Sequence, residues 1–343
     1  MVEAKQPATK LTLPEIIKTP DGKVDRSFGP YAETGEHLEW LKRFLEKGYI
    51  KFREGMTILE LASGGGHSAR IIWDAIPDEI KPTVRFIVSD SDRDSLEIAR
   101  ERLDDIPNLE FIPKDALETV NGFEDKTDAI FYLNAIHLDS ERKAVLEGAR
   151  ALLIDEDARI IFNSAFTSVE ESIPPSEKRF YRKWMVYQRK YLRDNFPALH
   201  VYLNSKPNFE ELPIAEYDKL IEESELIAIP IDGFEHDNPN AQLLVSFEGY
   251  ARVIQYKCWG DMYHVTMDSN ISIERKDELW DLLTDINRQK LTEAWLEVFG
   301  PDKKVTPRNN MIRLCRKKGV LDEATEVAQH ELYSKEQELV AVA

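Results

Sequence analysis

The sequence predicts an α/β fold: a mostly parallel sheet of seven strands with helices on both faces, and a mainly helical cap inserted before the last strand. Three observations carry this. Short apolar runs alternate with helical stretches between residues 56 and 162. The first apolar run ends in a glycine cluster, Gly64-Gly65-Gly66, where a strand gives way to a helix. After Phe166 the alternation stops, and longer aromatic-rich helical segments follow.

Residues 1–26 read as irregular, with Pro7, Pro14 and Pro20. Gly35 to Tyr49 reads as a helix, because Leu38, Leu41, Phe44, Leu45 and Tyr49 recur at helical spacing. Strands are then expected at Met56–Leu61, Val84–Val88, Leu109–Ile112, Thr127–Leu133 and Ala158–Phe162. Helices are expected at His67–Ala75, Asp94–Leu103 and Ser140–Leu153. Further on, Ser176–Asn195, Ile214–Glu225, Asn240–Trp259 and Lys276–Phe299 read as helical. Leu226–Ile231 reads as a sixth strand, and Thr306–Arg316 as the last, through Met311–Cys315. The tail after Gly319 is acidic and expected to be helical. The resulting organisation is an N-terminal segment with a helix (1–50), an α/β core (51–166), a mainly helical cap (167–305), and a final strand with its tail (306–343).

Composition narrows the function. Hydrophobic residues make up 42% and charged residues 31%, as in an ordinary globular protein. No stretch approaches the roughly 18 apolar residues of a membrane helix, and Met1–Pro20 has no apolar leader, so a cytoplasmic protein is expected. The two cysteines, Cys258 and Cys315, read as reduced thiols. The net charge of −18 disfavours a nucleic-acid substrate. The basic run Lys178–Arg193 reads as a solvated helix face.

The chemistry concentrates in Ile58-Leu-Glu-Leu-Ala-Ser-Gly-Gly-Gly-His-Ser-Ala69. Glycines at a strand-to-helix turn let the backbone approach a ligand where a Cβ would block it. The second strand ends at Val88-Ser-Asp90. An acid there can accept from both hydroxyls of a ribose. Asp92 suits the N-cap of the following helix, so Asp90 is the ribose candidate, with Ser91 beside it.

These motifs resemble the class I S-adenosylmethionine-dependent methyltransferases, whose first motif is acidic-x-Gly-x-Gly-x-Gly. Here it reads Glu60-Leu-Ala-Ser-Gly-Gly-Gly66, with Ala62 in place of the first glycine. Asp90 matches the family's second-strand acid. Phe111-Ile-Pro-Lys-Asp-Ala116 and Thr127-Asp-Ala-Ile-Phe-Tyr-Leu-Asn-Ala-Ile-His137 match the segments after the third strand and around the fourth. The resemblance covers residues 52–166 well and 306–318 loosely. It implies a Rossmann-like fold that binds S-adenosylmethionine and leaves S-adenosylhomocysteine as product. The implied cofactor residues are Glu60, Ala62, Ser63, Gly64, Gly66, Asp90, Ser91, Asp115, Ala116 and Asn134, with Tyr31 on a segment that folds over the cofactor. Glu60 would order the glycine loop, and Asp115 would accept from the adenine amino group. A nicotinamide dehydrogenase is disfavoured, since Ala69 stands where a third glycine would fall.

The resemblance also implies transfer of a methyl group to an O, N or C atom of a small aromatic or apolar molecule. Such an in-line displacement depends on placing the acceptor, and needs a base only if the acceptor loses a proton. His137 is the candidate base, against a packing role beside the cofactor. His67 reads as a cofactor neighbour. His264 could face the acceptor. Asn134 and His137 occupy the positions where metal-dependent relatives place acids, so no metal is expected. The cap aromatics (Tyr181, Trp184, Tyr187, Tyr250, Tyr256, Trp259, Tyr263) suit a flat acceptor, or else form the cap's own core or a homodimer contact. Two other functions fit the same motifs: a catalytically silent cofactor-binding regulatory or assembly protein, and a protein or RNA methyltransferase.

Overall fold

The structure is a computed structural model, and it describes residues 11–18, 22, 24–25, 28–165, 167–204, 212–255 and 272–319. His264, Tyr256, Trp259, Tyr263, Cys258 and the expected C-terminal helix lie outside the described residues. The chain divides into two compact units. One takes the described residues of Gly48–Ser164, Ile214–Asp232 and the stretch from Ile312 on. The other takes those up to Lys47, Ala165–Pro213 and Gly233–Met311.

Nine strands occur among the described residues: β1 (Thr57–Leu61), β2 (Arg85–Ser89), β3 (Leu109–Ile112), β4 (Ala129–Tyr132), β5 (Arg159–Ser164), β6 (Leu226–Ile229), β7 (Leu243–Ser246), β8 (Val305–Arg308) and β9 (Met311–Lys317). Seven form one sheet in the order β3-β2-β1-β4-β5-β9-β6. Neighbours from β3 through β5 are parallel, with Ile58 of β1 level with Phe86 of β2 and Ala129 of β4. β6 runs antiparallel to β9. The expected seven-stranded, mostly parallel sheet is therefore present.

Burial explains the sequence of its centre. Ile58, Leu59, Leu61, Phe86, Ile87, Val88, Ile130 and Phe131 are wholly buried. A parallel strand covered on both faces reads as a continuous apolar run. Helices His67–Asp74, Arg93–Arg102 and Arg142–Leu152 follow β1, β2 and β4. Asp92 caps the second of these, accepting from the Asp94 backbone N–H (3.2 Å) and the Ser95 hydroxyl (2.8 Å). That is the capping role expected of it.

The other unit is built on helices Lys178–Asn195 and Ile273–Phe299. Phe180 and Tyr181 of the first helix pack with Trp295, Phe299 and Tyr250, at ring centroid separations of 5.1–5.9 Å. All but the tilted Phe180–Phe299 pair are edge-to-face, and such pairs contribute about 0.5–1.5 kcal/mol each beyond their area. The hydroxyls of Tyr181, Tyr250 and Thr306 join in a chain, with Tyr250 and Thr306 3.0 Å apart. Tyr181, Trp184 and Tyr250 are thus core residues of this unit.

Three expectations need correction. Asn240–Trp259 is not helical from its start: Leu243–Ser246 forms β7, antiparallel to β8, and the helix is Phe247–Val253. The β-branched and leucine-rich run found a strand partner from far along the chain. Thr306–Arg316 is not one strand, because Asn309 and Asn310 separate β8 from β9. Gly35–Tyr49 opens with a 3-10 turn, Glu36–Leu38, ahead of the α-helix Glu39–Glu46. Helices Ala116–Gly122 and Pro197–Asn204 were not expected. Among the described residues no helix is long and apolar enough to cross a membrane.

Candidate cofactor site

Strand order reverses between β1 and β4: β2 and β3 lie to one side of β1, and β4 and β5 to the other. Ligands of open α/β sheets gather at the carboxyl ends of the strands beside such a switch point. Because β1, β2, β3 and β4 are parallel, the segments after Leu61, Ser89, Ile112 and Tyr132 all leave from that one edge. They carry Ala62 to Gly66, Asp90 and Ser91, Asp115 and Ala116, and Asn134.

The glycine turn is held from several sides. The Asp90 carboxylate accepts from the Gly64 backbone N–H and, through its other oxygen, from that of Asp92, each at 2.8 Å. The Ser63 N–H donates to the Ser89 carbonyl (2.9 Å), and the Gly66 N–H to that of Ser63 (3.1 Å). Arg102 donates to the Gly65 carbonyl and lies 2.9 Å from His67 Nδ1. Gly66 is left-handed at φ 76°, and a Cβ on it would stand 3.0 Å from Leu103 and 3.1 Å from Ala99. Only glycine lets helix Arg93–Arg102 pack this close. Gly64 differs: it is left-handed at φ 53°, but a Cβ there would meet nothing within 4 Å. The turn is therefore open on that side.

Glu60 is the exceptional residue of β1. It is 1% exposed. One carboxyl oxygen accepts from the Ser68 hydroxyl, while the other is buried with no hydrogen-bond partner. Burial pushes its carboxyl up to about 8; the Ser68 hydroxyl opposes this and the Asp90 charge adds to it. Burial likewise raises Asp90, against the pull of the Asp92 and Gly64 N–H groups. The Ser63 hydroxyl is a second buried oxygen without a partner.

Ala62 and Asn134 both adopt left-handed backbone, at φ 52° and 54°. They flank the switch point, one beyond β1 and one beyond β4. Ala62 therefore occupies a position whose backbone favours glycine, at a cost of roughly 1–2 kcal/mol. Ala62→Gly is expected to raise stability by up to about 1 kcal/mol, net of glycine's greater unfolded-state freedom. A urea midpoint that stays put or falls would contradict this.

The remaining residues are placed as follows. Asp115 is exposed and caps helix Ala116–Gly122, accepting from the Glu118 N–H at 2.7 Å; Ala116 is buried beneath it. Ser91 is exposed. Asn134 pairs with Asn163, a residue that sequence reasoning did not single out. Its only signal was a polar side chain closing the apolar run of β5. His137 is buried in the 3-10 turn Ile136–Leu138, whose Ile136 and His137 carbonyls accept from Arg142 at 2.9 and 2.8 Å. Tyr31 belongs to the other unit, where its ring packs against Phe28 and His37 and burial raises its phenol. Among the described residues no group of three or more His, Cys, Asp and Glu side chains is gathered to hold a metal ion.

The last strand of the sheet, β9, stands between β5 and β6 and runs against β6. This is a Rossmann-like α/β fold with one antiparallel strand. No family model matches the sequence, and no curated protein matches it. Solved structures are similar in fold. YcgJ from Bacillus subtilis is 15% identical with a TM-score of 0.46, over 82% of this chain and 100% of that one. The cyclopropane synthase MmaA2 from Mycobacterium tuberculosis is 13% identical with a TM-score of 0.43, over 85% and 86%. A Haemonchus contortus phosphoethanolamine N-methyltransferase, in complex with phosphomonomethylethanolamine and S-adenosylhomocysteine, is 11% identical with a TM-score of 0.44, over 86% and 59%.

Proposed function

We propose that this protein is an S-adenosylmethionine-dependent methyltransferase acting on an O, N or C atom of a small molecule. The observation that carries the reading is the Asp90-latched glycine turn standing over a buried, half-satisfied Glu60. The donor set fits the cofactor. Asp90 keeps lone pairs for ribose hydroxyls after its two N–H bonds. The unpaired Glu60 oxygen suits a cationic or amine group, and the open side of Gly64 leaves room for close backbone approach. Asp115 and Ala116 stand at the edge where an adenine would be read. The bound cofactor would supply an electrophilic methyl group on a positively charged sulfur. The protein's part is to hold that group and align the acceptor. His137 is assigned as base only for an acceptor that must lose a proton. The net charge of −18 supports a small molecule over a nucleic acid.

Calorimetry with S-adenosylhomocysteine tests the cofactor half. Saturable one-site binding is expected, and none at millimolar ligand would overturn it. Methyl-labelled cofactor with a metabolite extract tests the rest. Label should appear in a low-mass product and vanish when small molecules are removed. Tight binding without any labelled product would instead favour a silent cofactor-binding protein.

A further inference from the structure

Asn163 lies in β5 with no exposed surface. A polar amide inside an apolar parallel strand costs free energy unless its groups are matched, and an aliphatic side chain would serve packing better. Its neighbours Ile160, Ile161 and Phe162 are aliphatic or aromatic. The Asn163 amide pairs across the sheet with Asn134. Its carbonyl oxygen accepts from the Asn134 backbone N–H at 3.0 Å, and its Nδ2 donates to the Asn134 side-chain oxygen at 2.7 Å. Asn134 is the residue that turns left-handed directly beyond β4. Two bonds to one residue fix both its backbone and its side chain.

We propose that Asn163 is a positioning residue of the cofactor crevice, acting through Asn134. The inference rests on the cofactor reading above. The clasp holds the β4 lip in a backbone conformation that asparagine tolerates better than most residues but does not prefer. Without it, Asn134 relaxes toward ordinary backbone angles, and the segment leading to His137 leaves its place beside the switch point. A polar pair kept in an apolar sheet, next to a strained turn, marks a place where local preference yields to function.

The test uses the full chain and S-adenosylhomocysteine as the probe, read by calorimetry. Asn163→Ala is expected to weaken binding about tenfold or more, with the circular dichroism of the folded protein retained. Asn134→Gly accepts the left-handed backbone without a clasp; it also removes a crevice side chain, so its own affinity is the reference for the second substitution. The decisive variant is the double substitution, Asn163→Ala with Asn134→Gly. Affinity should return to that of Asn134→Gly alone, because glycine no longer needs holding. A purely packing role for Asn163 would weaken the double variant below Asn134→Gly by the same factor that Asn163→Ala loses from the unsubstituted chain. That result overturns the proposal, as does Asn163→Ala binding like the unsubstituted chain. If Asn163→Ala does not fold, recovery of folding and binding in the double variant supports the clasp, and failure of both overturns it. If the unsubstituted chain binds no S-adenosylhomocysteine, the cofactor reading and this inference fall together. If it binds and the variants match it, only this inference falls.

Discussion

Asp90→Ala should weaken S-adenosylhomocysteine binding by about 1–3 kcal/mol, roughly five- to 150-fold. Two losses combine in that figure. Ribose hydroxyls in a closed site would be left without their acceptor. The glycine turn would also lose its latch, since Asp90 holds the Gly64 and Asp92 N–H groups. Asp90→Asn separates the two. Its amide oxygen can keep one of the N–H bonds, while its NH2 can no longer accept from ribose. It should therefore preserve most of the apo stability that Asp90→Ala loses, yet still bind weakly. Calorimetric affinity that is unchanged in Asp90→Ala would remove Asp90 from the site.

Glu60 carries the second large effect, and it appears as a pH dependence. The folded protein holds this carboxyl at about 8, against the 4.5 of an exposed glutamate. Between those values the folded state binds a proton that the unfolded state has released. Stability is thus unpenalised below pH 4.5, falls as pH rises, and bears the full penalty above about pH 8. At 1.36 kcal/mol per unit the full extent is at most on the order of 5 kcal/mol. Glu60→Gln has nearly the same shape and no proton to lose. Without ligand, its urea midpoint should match the unsubstituted protein near pH 5 and exceed it increasingly toward pH 8. Parallel pH profiles for the two proteins would refute the assignment. Bound ligand should reverse the preference, because a positive group beside Glu60 favours the carboxylate. Binding at pH 7 should then release a proton, and Glu60→Gln should bind more weakly despite its greater stability.

Much of this site was legible in the sequence because the physics there is local. β1, β2, β4 and β5 are buried on both faces and read as apolar runs. The glycine turn, the acid ending β2 and the cap at Asp92 are short-range signals. Other features depend on partners remote in the chain. β7 does not announce itself locally, because its partner, β8, lies some sixty residues on. The Asn134–Asn163 pair joins two strand ends across the helix Arg142–Leu152. The unpaired oxygen of Glu60 follows from how the surroundings close over it, which no spacing encodes. The cap aromatics showed the opposite problem. Their composition suited a ligand pocket, yet Phe180, Tyr181, Trp184 and Tyr250 spend their surface on one another.

The strand order bears on how the molecule is made. β9 is the last strand in the chain, but it stands between β5 and β6. Until residues 311–317 have been synthesised, β5 keeps an open edge and β6 has no partner in the sheet. The polypeptide also passes between its two compact units five times, at residues 47, 164, 213, 232 and 311. Neither unit is therefore complete until residue 311 has been synthesised. Unpaired strand edges recruit other chains, and contacts between distant parts of the sequence form slowly. A nascent chain stalled before β9 is the species with most need of a chaperone, and truncation ahead of Met311 should yield aggregate in place of a smaller folded protein.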